Sequence, residues 1–167
     1  HDISDKNWML RDSLRHGLNH MITKNLSFDA LVRPHHLPNL YKFAKKYSEL
    51  PIVIDHIAKP KILSGEIDQW KVDMKKLSQL PNIVCKLSGV LTEVGEGYKE
   101  DLVVPYIDFI FETFEPKRLM WGSDWPVLNM VDTYGNWFEL SMKFCNGFSK
   151  DEKKDIFCNT ARAFYRI

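Results

Sequence analysis

The chain has 167 residues, enough for one domain of ordinary size with a substantial buried core. Hydrophobic residues make up 44% and charged residues 27%, which excludes a disordered, collagen-like or disulfide-scaffold chain. The 23 basic and 22 acidic residues leave a net charge of +1, so there is neither a basic excess that would favour nucleic acid nor an acidic tail.

Residues 1–7 are polar and read as a loop. Over 8–23 the apolar residues Trp8, Leu14, Leu18, Met21 and Ile22 recur at loosely helical spacing, and Lys24-Asn25 supplies a stop. A short strand is predicted at 28–32, closed by Arg33-Pro34, and a helix from Pro38 to about Tyr47. Pro51-Ile52-Val53-Ile54 is β-branched and uniformly apolar, as expected of a strand buried on both faces. A helix follows over 67–80, with Trp70, Met74 and Leu77 on one stripe, then a third strand over 82–87. The glycine-containing loop 92–97 carries Glu93 and Glu96. An apolar helix over 101–114 then turns through Glu115-Pro116-Lys117 into a fourth strand that runs to Trp121. Helices are predicted over 134–145 and 159–165. Ser149, with Asp151 and Glu152 behind it, has the pattern of an N-cap.

Strands alternating with helices predict parallel βα units and an α/β fold, either a small open sheet or half of an eight-stranded barrel. No repeat or linker divides the chain, so 1–167 reads as one domain. Cys85, Cys145 and Cys158 are widely spaced and form no CxxC pair, which predicts reduced thiols and a cytoplasmic setting. No apolar run approaches the ~18–20 residues that span a bilayer, and the first ten residues lack the pattern of a signal peptide.

All four predicted strands end in polar groups, and in a parallel sheet these converge on one rim: Arg33 with His35 and His36, Asp55-His56 with Lys59, Lys86 with Ser88, and Asp124 with Trp125. His56 and Asp124 are the strongest pair. An imidazole can polarise a carbonyl, handle a proton near neutrality or bind a metal. Three roles stay open for Asp124: a base that deprotonates water, a metal ligand, or a cap on the following helix. On the plainer alternative Asp124 is that cap and Asp55 merely orients His56. Lys59 and Arg33 could hold a substrate carboxylate or hydroxyl by charge-assisted bonds, or be solvated surface charge. His36, Lys86, Ser88 and Trp125 complete the set of candidate substrate contacts. His16 and His20, four apart, read as a helix face because no third ligand stands near them.

The segments Val53 to Pro60, Cys85-Lys86-Leu87-Ser88-Gly89, Leu119 to Val127 and Asn159-Thr160-Ala161-Arg162 to Tyr165 resemble the amidohydrolase-related family. More narrowly, they resemble its branch of sugar lactonases and 2-pyrone-4,6-dicarboxylate lactonase-like hydrolases. The resemblance implies a (β/α)8 TIM barrel whose fifth to eighth strands are the four seen here, with the chain N-terminally incomplete. It implies a hydrolase that opens a sugar or dicarboxylate lactone, with Asp124 as the base, His56 polarising the carbonyl and Lys59 where some members bind a substrate carboxylate. The family's first-strand His-x-His pair has no counterpart, and the chain starts at His1 rather than Met. The expectation is therefore a fragment, inactive alone, whose sheet has open edges and a bare inner face. One divalent metal such as zinc is a candidate cofactor. His56 and Asp124 would be its ligands, although a zinc site needs three protein ligands. The expected partner is a small-molecule lactone, with no nucleic acid and no membrane, and a homo-oligomer stays open. Two other readings are a metal-dependent decarboxylase and an inactive paralogue acting as a binding module.

Overall fold

The structure, a computed structural model, describes residues 3–167; the expectations attached to the start of the chain at His1 lie outside them. Four short strands form one sheet: β1 (Phe28–Ala30), β2 (Ile52–Ile54), β3 (Ile83–Leu87) and β4 (Leu119–Trp121). They pair in the order β1-β2-β3-β4, every pair parallel, with Ala30 opposite Ile54, Ile54 opposite Cys85 and Cys85 opposite Leu119. Parallel neighbours need crossovers, and helices supply them: α2 (Leu37–Lys46), α3 (Asp68–Ser78) and α4 (Glu100–Thr113). Before β1 stands α1 (Arg15–Thr23); after β4 come α5 (Tyr134–Phe144), α6 (Lys150–Lys154) and α7 (Thr160–Tyr165). No helix among the described residues is long and apolar enough to cross a membrane.

The two faces of the sheet have different jobs. Ile52, Ile54, Ile83, Cys85, Leu87 and Leu119 are fully buried in one core with Phe43 of α2, Trp70 and Met74 of α3, Ile107 of α4 and Trp137 of α5. The alternate residues Asp29, Val53, Val84, Lys86 and Met120 lie on the other face, as strand pleating requires. There Val53 and Met120 pack against Phe164, with Tyr165 and Ala161 alongside. The C-terminal helix therefore covers part of the face that the sequence leaves bare.

Local departures from expectation have visible causes. The first predicted helix is regular only from Arg15; Trp8–Leu10 and Asp12–Leu14 are separate 3-10 turns. Asp5 holds them open, accepting from Asn7 N at 2.8 Å and from Arg11 Nη2 at 2.6 Å. The terminal helix starts with a π-helical turn, Asp155–Asn159, before α7. Ser149 caps α6 as predicted, in a reciprocal box with Glu152. Arg118 at the entrance to β4 donates to the carbonyls of Ser78, Leu80 and Ile83, tying that strand to the α3–β3 connection.

Candidate active site

The four strand ends meet on one rim, and the most unusual backbone among the described residues lies there. His56, Ile57, Ala58 and Lys59, directly after β2, all have positive φ, from 47° to 63°. Four consecutive left-handed residues without a glycine are costly, and for β-branched Ile57 this conformation is a true outlier. The segment is held from outside. The buried Trp70 indole donates to Ile57 O at 2.9 Å, and Ile57 and Ala58 are fully buried. Lys59 N closes the turn on His56 O at 2.8 Å. Such strain is retained where surrounding structure imposes it, commonly at functional sites. Here it turns His56 and Lys59 onto the rim.

His56 stacks over a glycine. A Cβ on Gly89, itself at φ 62°, would meet His56 Cγ and Nδ1 at 2.6 Å, so only glycine allows the imidazole this close. Ser88 Oγ lies 2.8 Å from His56 Nδ1. On the other side Nε2 lies 3.6 Å from Asp124 Oδ1, too long for a hydrogen bond. Burial lowers the His56 pKa by more than the Asp124 and Asp55 carboxylates raise it, so the ring is neutral at pH 7. A neutral ring has one proton. We assign it to Nε2, with Ser88 donating to Nδ1, because the opposite tautomer would point an Nε2 lone pair at the Asp124 carboxylate. The result is a fixed N–H donor and a carboxylate side by side.

Asp124 follows β4 at φ 60°, ahead of a cis Trp125–Pro126 bond. Its Oδ2 lies 3.2 Å from Thr92 Oγ1, a hydroxyl that also reaches Gly89 O at 2.9 Å. No hydrogen bond of the described residues uses Asp124 as a helix cap; α5 is capped by Thr133 instead. Its side chain is 10% exposed, so it faces the rim from a largely dehydrated position.

Three cations of the rim, Lys59, Arg33 and Lys86, lie against acids. Lys59 Nζ lies 2.5 Å from Glu93 Oε1, and Arg33 Nη1 is 3.7 Å from Glu93 Oε2. Lys86 Nζ is 2.6 Å from Asp55 Oδ1, an ion pair without hydrogen-bond alignment, and donates to Asp29 Oδ2 at 3.2 Å. Tyr165 Oη donates to the same Asp29 oxygen at 2.7 Å. Burial disfavours the charge on Lys86, but Asp55, Tyr165 and Asp29 outweigh it and raise the ammonium above its ordinary pKa. Burial and Asp29 push the Tyr165 hydroxyl up to about 12.

Of the residues singled out in the sequence, His56, Asp124, Lys59, Arg33, Lys86 and Ser88 do come together, and Trp125 stands at the rim, 65% exposed. His36 does not join them. It is 1% exposed, its Nδ1 accepts from Arg33 N at 3.1 Å and its Nε2 donates to Ile3 O at 3.0 Å. Both ring nitrogens are engaged by backbone, so His36 is a structural residue that shapes the turn behind Arg33. Asp55 pairs with Lys86 rather than with the His56 ring. Thr92, Asp29, Tyr165 and the Glu93 ion pair are additions. Their signal was a polar residue on a strand-end loop or an inward strand position, with no partner visible nearby in sequence.

Among the described residues no group of three or more His, Cys, Asp or Glu side chains could hold a metal ion. His56 and Asp124 are adjacent, and these two donors alone are fewer than the three protein ligands that a zinc site takes.

The amidohydrolase family model matches residues 2–167. An L-fucono-1,5-lactonase of Burkholderia ambifaria is 41% identical over 170 residues, covering 99% of this chain and 59% of the relative. Another L-fucono-1,5-lactonase, from Burkholderia multivorans, is 30% identical over 84% of this chain and 51% of its own length. A crystal structure of an amidohydrolase from Burkholderia multivorans with bound zinc superposes with a TM-score of 0.92 at 26% identity, over 99% of this chain and 62% of that one. The chain thus spans between half and about three-fifths of the length of these relatives.

Proposed function

Because the chain belongs to the amidohydrolase family, its four βα units forming part of a (β/α)8 barrel, we propose that its rim hydrolyses a sugar or dicarboxylate lactone. What carries the reading is the pairing of a neutral, Ser88-oriented His56 with the Asp124 carboxylate, 3.6 Å away. The lactone carbonyl oxygen accepts from His56 Nε2–H, which draws electron density from the carbonyl carbon. Asp124 takes a proton from water as its oxygen attacks that carbon. The tetrahedral oxyanion is held by the same Nε2–H. When the ring C–O bond breaks, protonated Asp124 returns its proton to the leaving alkoxide. The product is an open hydroxy acid, which ionises and releases one proton per turnover at neutral pH.

Lactonase relatives support this assignment: besides the two L-fucono-1,5-lactonases, a 2-pyrone-4,6-dicarboxylate hydrolase of Comamonas testosteroni is 30% identical over 58% of this chain. We place the activity at the rim of the (β/α)8 barrel to which these four units belong. The test is proton release from a panel of lactones in a pH-stat, using the full-length protein. Asp124→Asn keeps the shape and removes the base, so turnover should fall by roughly 10²–10⁴-fold. Undiminished turnover would exclude Asp124 as the base.

A further inference from the structure

Glu93 stands on the 3-10 turn after β3, adjacent in sequence to Thr92, which touches Asp124. Its two oxygens face Lys59 at 2.5 Å and Arg33 at 3.7 Å, and it is held there with its side chain only 16% exposed. One carboxylate thus bridges loops from three strands: Arg33 after β1, Lys59 after β2 and itself after β3. Lys59 and Arg33 are the cations that a substrate carboxylate would seek; Glu93 binds the first directly and sets its negative charge beside the second. Lys86, a further cation of the rim, is committed to Asp55 and Asp29, and Lys61, which lines the cavity beside Arg33 and Lys59, pairs with Glu66.

We propose that Glu93 is a specificity residue: it closes these cations to a second carboxylate and selects an uncharged, hydroxyl-bearing lactone over one that carries a carboxylate substituent. This deepens the lactonase reading above and rests on it. A carboxylate entering beside Lys59 must either displace Glu93 or stand against a like charge in a partly dehydrated site, and both are unfavourable. A hydroxyl meets neither obstacle. A carboxylate has about four lone-pair sites, so Glu93 can keep Lys59 and still accept from a substrate hydroxyl. That bond is charge-assisted, and a ring lacking the hydroxyl forfeits it.

The experiment compares kcat/KM of the full-length protein for an uncharged aldono-1,5-lactone and for a lactone of matched ring bearing a free carboxylate. One hydrogen bond to a charged group changes affinity by roughly 10- to 100-fold, and the uncharged lactone should be preferred by that factor. Glu93→Gln should narrow the gap, chiefly by lowering KM for the carboxylated lactone. Raising ionic strength on the unmodified protein should lower KM for the carboxylated lactone and leave the uncharged one unchanged; this arm does not depend on how the variant folds. Equal or better turnover of the carboxylated lactone overturns the role of Glu93 and leaves the lactonase reading intact. So does a Glu93→Gln variant that loses efficiency on both substrates in the same proportion, the mark of a purely structural bridge. Hydrolysis of neither substrate sinks the lactonase reading and this inference with it.

Discussion

Replacing Gly89 by alanine drives a methyl group into the imidazole of His56. The new Cβ would stand 2.6 Å from both Cγ and Nδ1 and 2.8 Å from the His56 Cβ, where ordinary contact begins near 3.4 Å. The ring must retreat by about 1 Å, which breaks the 2.8 Å contact with Ser88 and shifts the Nε2 donor against Asp124. Alanine also inherits a φ of 62°, worth about 1–2 kcal/mol in left-handed backbone. Overpacking adds about 1–3 kcal/mol. Together these destabilise the fold by about 2–5 kcal/mol, a fall in melting temperature of roughly 5–15 °C for a chain of this size. A misplacement of 1 Å costs on the order of 10²-fold in rate, so kcat/KM should collapse even below the melting transition. Differential scanning calorimetry and pH-stat kinetics on Gly89→Ala test both halves. A variant with the parent melting temperature and full turnover would refute the account of how His56 is seated.

Three other perturbations follow from the same geometry. Ser88→Ala removes the donor that fixes the His56 tautomer, so kcat should fall by roughly tenfold, the worth of one hydrogen bond, with a changed pH profile and an unaltered fold. Burial holds the His56 pKa below 6.5: the unfolded chain takes up its proton first as pH falls, so stability should decline below about pH 6.5 and level off under the folded pKa. That slope should be reduced in His56→Gln, measured by urea unfolding across pH 5–8; an unchanged slope removes His56 as its source. Lys86→Met leaves the largely buried Asp55 and the more exposed Asp29 without their shared counter-charge, a loss of about 1–3 kcal/mol, discounted from fully buried pairs because solvent reaches Asp29. Urea midpoints equal to the parent's would show that the two carboxylates are relieved by solvent.

Features that depend on neighbouring residues were legible in the sequence. The apolar run at Ile52–Ile54 marked a buried strand, Ser149 marked a helix start, and Asp124 stood where the β4 pattern stops. Features that depend on distant partners were not. His36 looks like a rim ligand until Ile3, 33 positions away, is seen to accept from its ring. Glu93 looks like any loop acid until Lys59, 34 positions away, is seen against it. The left-handed run at His56–Lys59 contradicts the preferences of Ile57 and Ala58, and no local pattern announces a conformation that the Trp70 indole and the surrounding core impose. The partial cover of the inner face needed the three-dimensional path of α7, since Phe164 and Tyr165 fit a helix packed on either side of the sheet.

The run of left-handed residues divides the rim into a part fixed by the main chain and an adjustable one. His56 and Lys59 are placed by main-chain torsions that buried neighbours enforce, so any exchange at Ile57 or Ala58 would displace both at once. Glu93 and Trp125 sit on turns of their own, where a side chain can change without carrying the imidazole along. A variant library meant to redirect this protein toward other ring substituents belongs at positions 93 and 125. Diversity placed between 56 and 59 would mostly return molecules whose reacting groups no longer face each other.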